Sequence, residues 1–148
     1  MPDTIQTYLR RGSLNVDVAS PLLTQRPAPS KWSAQEILGH LIDSARYNLQ
    51  RFTEILLSDG VYQVVRYPQD GLVRVNHYQQ GDITHLLGLW KGLNTQIATV
   101  FADRPAAEME HPVRLPDGEL VDLQFLLDDY LAHGMHHLSQ IEELLRAN

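Results

Sequence analysis

The sequence reads as an all-α four-helix bundle, on three observations. Four segments repeat apolar residues at helical spacing, and each of the last three opens on a polar capping residue. Period-two alternation is confined to short stretches between them. At 148 residues, 43% apolar and 20% charged, the chain suits a single domain spanning 1–148. A domain of this size buries about 70% of its unfolded surface, enough for a core without covalent staples.

The first helix is expected from about Asp3 to Leu23, with Ile5, Tyr8, Leu9, Leu14, Val18 and Leu22 apolar. Gly12-Ser13 weakens it midway, so it is bent or split there. The prolines of Arg26-Pro-Ala-Pro-Ser30 end it, because each removes a donor and pushes its predecessor out of helical geometry. The second helix spans 33–58. Ser33 with Glu36 three residues on reads as a capping box, and Trp32 before the cap can staple onto Ile37. Its stripe runs through Leu38, Leu41, Ala45, Leu49, Phe52 and Ile55 to Ser58-Asp-Gly60. The connection from Gly60 to Gly81 is long, in the manner of lids, binding loops or interface pieces, and Val61–Arg66 alternates as a short strand does. The third helix covers 82–102 through Ile83, Leu86, Trp90, Leu93, Ile97 and Phe101. Pro116-Asp-Gly118 marks a turn, which predicts a small hairpin within 111–120. The fourth helix starts at Asp122 as N-cap and reaches 147 through Leu126, Tyr130, Leu138, Ile141 and Leu145. The simplest assembly of these four is an up-and-down bundle.

Composition excludes several functions. Twelve basic against 18 acidic residues give a net charge of −6, which argues against a nucleic-acid partner. The chain has no cysteine, so disulfides, thiolate zinc sites and a cysteine nucleophile are excluded. No apolar run approaches the ~18 residues of a membrane span, and the N-terminus carries no signal-peptide pattern, which predicts a cytoplasmic protein.

The chemistry concentrates in histidines. Successive helix residues advance by about 100°, so with His133 at zero His137 lies at about 40°, inside the apolar sector, and His136 at about 300°, facing out. His133 borders that sector, and rings four residues apart on one face can reach one point. On the second helix His40 sits at the edge of the apolar stripe, in a polar seam with Ser44, Tyr47 and Arg51. His85 points about 130° from its stripe, toward solvent, and the connections holding His77 and His111 leave both unplaced. A lone buried histidine needs only one hydrogen-bond partner. A third imidazole beside an i,i+4 pair instead suits a metal centre that keeps one position for water or substrate. There is no His-Glu-x-x-His, so a zincin is excluded.

Lys31-Trp-Ser-Ala-Gln-Glu-Ile-Leu-Gly-His-Leu-Ile-Asp-Ser44 and His133-Gly-Met-His-His-Leu-Ser-Gln-Ile141 together resemble the DinB/YfiT-like superfamily of metal-binding four-helix bundles. The resemblance covers nearly the whole chain. It implies that His40, His133 and His137 bind a divalent ion, zinc or nickel. Tyr47, Arg51, Phe52, Tyr67 and Asp70 resemble the branch with metal-dependent hydrolases and bacillithiol S-transferases. That branch often carries histidine where Gln140 stands, and Tyr-Asp-Glu where this chain reads Tyr67-Pro-Gln-Asp70.

The expected activity is therefore metal-dependent hydrolysis or thiol S-transfer on a small molecule, any thiol arriving as a cosubstrate. Asp43 is a candidate to orient His40 or act as general base. Its angle, about 60° beyond His40 and away from the apolar side, favours instead a solvated carboxylate. Arg51 is a candidate to neutralise an anionic substrate, and Tyr47 and Tyr67 read as packing aromatics. The competing reading is a non-catalytic, stress-related bundle or a small-molecule sensor with a structural or vestigial metal site. Val61, Val64, Val65, Leu72, Val73 and Val75 crowd the long connection and need cover, either from the bundle itself, as a lid over the metal cavity, or from a second chain about a two-fold axis. The resemblance, to a family whose members are often dimers, implies a homodimer.

Overall fold

The computed structural model describes residues 4–13 and 16–146. Asp3, Leu14 and Ala147, which periodicity assigns to helices, lie outside them. In chain order the elements are α1 (Ile5–Gly12), α2 (Ala34–Leu57), β1 (Tyr62–Gln63), α3 (Gln69–Val75), α4 (Ile83–Phe101), α5 (Ala106–Met109), β2 (Pro112–Arg114), β3 (Leu120–Asp122) and α6 (Leu123–Arg146).

The long helices begin where their caps require. Ser33 Oγ accepts the Glu36 N–H at 3.1 Å and Glu36 Oε1 accepts the Ser33 N–H at 3.1 Å, a complete capping box. Arg26 grips the same carboxylate with bonds of 2.8 and 3.0 Å, tying the preceding proline-rich segment to α2. Asp82 caps α4 through the His85 N–H, and Asp122 caps α6 through the Phe125 N–H.

The first helix is shorter than its periodicity suggests. The Ser13 hydroxyl and N–H both return to Leu9 O, closing α1 after Gly12, and Pro21–Thr24 forms a separate 3-10 turn. Gly12 is where α1 meets Trp90: a Cβ there would lie 2.0 Å from the indole.

α2 packs on α4 and α6, and α1 packs on the same two helices. The order around the bundle is thus α1, α4, α2, α6, which departs from the up-and-down arrangement of sequential neighbours. The connections explain it: the segments between α1 and α2 and between α2 and α4 are long enough to cross the bundle.

The predicted strand and hairpin join into one small sheet. β2 and β3 pair antiparallel with Val113 opposite Val121, closed at Gly118 with φ of 96°, and β1 adds in parallel with Tyr62 opposite Val113. The long connection also holds α3, a short helix that its sequence pattern does not signal. Val64 and Val73 turn into the core, whereas Val61, Val65 and Val75 stay exposed.

The core centres on Tyr8, Phe52, Trp90, Ile97 and Leu131. Its polar atoms are paired: Trp90 Nε1 donates to Tyr8 OH at 3.2 Å, Tyr130 OH to Asn94 Oδ1 at 2.5 Å, and Asn94 Nδ2 to Trp90 O at 3.0 Å. No described helix is long and apolar enough to cross a membrane.

Candidate metal centre

The packing of α2 on α6 brings His40 against His133 and His137. One ring nitrogen from each lies within 4.8 Å of the others. The two α6 rings, one helical turn apart, approach Nε2 to Nε2 at 3.0 Å. The His40 ring centre stands 5.3 Å from that of His133 and 4.9 Å from that of His137.

Depth and orientation come from neighbours. His40 is 1% exposed, with the Trp32 ring 4.9 Å away. The angular reading made His137 the most buried of the three. It is half-buried, and His40 takes that place, because Trp32 covers an edge that a helical wheel leaves open. The His137 Nδ1–H donates to Gln140 Oε1 at 2.7 Å, so its Nε2 presents a lone pair to the cluster. Burial and the neighbouring rings push the His40 pKa down from 6.5 to about 4. Burial also lowers His133 and His137, so all three are neutral imidazoles near pH 7.

The donor set fits a divalent ion. Three neutral nitrogens converge from two rigid helices, and His40 Nδ1 is buried with no hydrogen-bond partner. Three imidazoles leave a tetrahedral ion one free position.

Beside the cluster lies a cavity of about 610 Å³, with His133 in its wall. Ser44, Asn48 and Arg51 line it from α2, Asp129 and Tyr130 from α6, and Arg66 and Tyr67 from the long connection. Of the polar seam read from the sequence, Ser44 and Arg51 face the cavity, with Asn48 as an additional member, whereas His40 lies outside its wall. Tyr47 stands behind it, stacked on Tyr67 at 4.4 Å.

The matching family model is that of the DinB superfamily, over residues 17–141, a stretch that includes all three histidines. The chain belongs to the DinB superfamily. Among similar proteins, "Putative metal-dependent hydrolase BH0277" of Halalkalibacterium halodurans is 23% identical over 136 residues, 92% of this chain and 78% of that one. Among solved structures, YfiT from Bacillus subtilis, described as "a probable metal-dependent hydrolase with an unusual four-helix bundle topology", matches with a TM-score of 0.80 at 21% identity. The match covers 96% of this chain and 80% of YfiT. The mycothiol-dependent maleylpyruvate isomerase matches with a TM-score of 0.70 at 14% identity, over 93% of this chain and 55% of that protein.

In this DinB-superfamily bundle Asp43 is not the solvated carboxylate its helical angle suggests. It is fully buried: Oδ1 accepts the Tyr78 hydroxyl at 2.6 Å and an Arg46 N–H at 2.8 Å. It makes no hydrogen bond to His40, and its Oδ2 has no partner. The connection that carries Tyr78 folds over this side of α2, an event that no single-helix projection contains. Tyr78 lies on Gly39, where a Cβ would come within 2.1 Å of the ring. Arg51 is half-buried, donating to Val65 O. The partner of His137, Gln140, stands at i,i+3 spacing, the one signal of it in the sequence. The outward angles of His85 and His136 hold, both being exposed. His77 is exposed with φ of 53°, and His111 Nε2 meets Gly60 O at 2.9 Å.

Proposed function

We infer that the chain is a metal-dependent hydrolase of small molecules, with His40, His133 and His137 as ligands. The observation that carries this is the convergence of three neutral imidazoles, one of which, His133, lines a polar cavity of about 610 Å³, a size suited to a small molecule. A divalent cation held there, zinc or nickel, supplies Lewis acidity and acidifies a water or thiol toward neutrality. The Gln140 contact leaves the His137 Nε2 lone pair free, and through it His137 would help hold the ion. Asp43 lies outside the cavity wall, and its bonds to Tyr78 and Arg46 make it a positioning residue for α2 beside His40. Arg51, in the wall, contacts the substrate.

Thiol S-transfer is the second reading. It is favoured by a chain without cysteine, in which a thiol must enter as cosubstrate, and by the likeness in fold to a mycothiol-dependent enzyme. A non-catalytic bundle or sensor has no specific observation in its favour. We also infer a homodimer, supported by the exposed Val61, Val65 and Val75.

Metal analysis of untagged protein, followed by ester-hydrolysis and thiol-transfer screens before and after chelation, tests the reading. About one ion per chain is expected, with activity lost on chelation and restored by zinc or nickel. Protein that retains neither ion through gel filtration overturns it.

A further inference from the structure

Arg51 differs from the arginines that the fold uses for stability. Arg11, Arg26, Arg46 and Arg104 each hold a carboxylate within 3.0 Å. Arg51 is half-buried and has no carboxylate partner among the described residues. One amine donates to Val65 O, and its guanidinium carbon lies 5.1 Å from the Tyr67 ring centre. Tyr67 is held in turn by stacking on Tyr47, the planes 18° apart. These contacts fix the planar fork while satisfying one of its five N–H donors. A partly desolvated cation without a counter-ion is costly in a fold that satisfies most of its buried polar atoms.

The surroundings set the ligand. Arg51 and His133 share one cavity wall, with Asn48 beside them. Asn48 Nδ2 is tied to Ser44 O at 2.8 Å, so its oxygen suits a donor elsewhere on the ligand and the oxyanion falls to Arg51. The remaining charged groups of the wall are Arg66, Asp117 and Asp129, all exposed, and neither aspartate bonds Arg51. The geometry points to Arg51 as the docking residue for an oxyanion on the substrate, a carboxylate or phosphoryl group, with the reacting end directed at the histidines. This deepens the functional reading above and rests on it for the direction of the substrate, but not for the anion site itself.

Titration of zinc-free and zinc-loaded protein with glutarate and with inorganic phosphate, followed by the Arg51 Nε–H NMR resonance, tests the assignment. In both forms at least one anion should move that resonance, and whichever binds more tightly identifies the oxyanion. Arg51→Gln should weaken binding about tenfold or more, the loss expected for a charge-assisted pair, and Arg51→Lys less. Arg74→Gln, an exposed arginine outside this cavity wall, should bind as the parent does. Circular dichroism checks that each variant folds. An Arg51 resonance that neither anion moves, or equal binding by parent and Arg51→Gln, overturns the inference while leaving zinc binding intact. Arg51-dependent anion binding in protein that retains no zinc supports the inference and sinks the metal reading instead.

Discussion

Each histidine of the cluster has a distinct neighbour: Trp32 covers His40, Gln140 orients His137, and the cavity opens beside His133. His137→Ala should therefore abolish retention of zinc, whereas His136→Ala should leave it unchanged, because that exposed ring lies outside the cluster. Gln140→Leu should keep the ligands but weaken affinity about tenfold or more, as loss of an outer partner does. Metal content by mass spectrometry and competition with a chelator measure both. Equal loss in His136→Ala and His137→Ala would refute the assignment. A pH effect follows from the same burial. The folded His40 pKa of about 4 lies below its ordinary 6.5, so the unfolded chain binds more protons between those values. Its contribution to stability is complete above pH 6.5 and declines as pH falls toward 4, by about 3 kcal/mol at most. Urea unfolding of metal-free protein should accordingly give a midpoint that drops across this range. A flat profile would show that His40 is not desolvated.

At the scale of elements, α2 and the long connection behave as one unit. Gln35 Nε2 donates to the carbonyls of Tyr78 and Gly81 at 2.6 and 2.8 Å, and Tyr78 closes on Gly39 and Asp43. Gly39→Ala should push the Tyr78 ring away and break its bond to Asp43, a loss of about 1–3 kcal/mol for overpacking. Gly88→Ala, on the exposed face of α4 with nothing within 4 Å of the new methyl, should stabilise by about 0.5–1 kcal/mol. Thermal denaturation distinguishes them, and changes of the same sign would contradict the packing of Tyr78. The capping box, the hairpin turn and the break at Gly12-Ser13 were legible because each is decided within a few residues. α3 was not, since Gln69–Val75 is short, has Pro68 at its cap and contributes only Val73 to the core.

For the whole molecule, connection length decided the arrangement of helices. α1 reaches α4 and α6 rather than α2, so the ligand-bearing α2 and α6 share a long seam. The connection enters the core at Val64, Val73 and Tyr78 and leaves Val61, Val65 and Val75 exposed. A second chain about a two-fold axis should cover them. Light scattering at micromolar concentration should report about 34 kDa, twice the 16.8 kDa chain. A mass of one chain throughout a dilution series would overturn the dimer.

Helices α2, α4 and α6, their caps, the turn before α6 and the facing pair His133 and His137 were determined by sequence alone, because caps act over three residues and helical faces repeat with a known period. The burial of Asp43 by Tyr78, the deeper place of His40 behind Trp32, and the cavity joining Arg51 to His133 were decided only by tertiary structure. Each depends on which segment folds over a helix face, and periodicity along one helix carries no information about the partner that covers it.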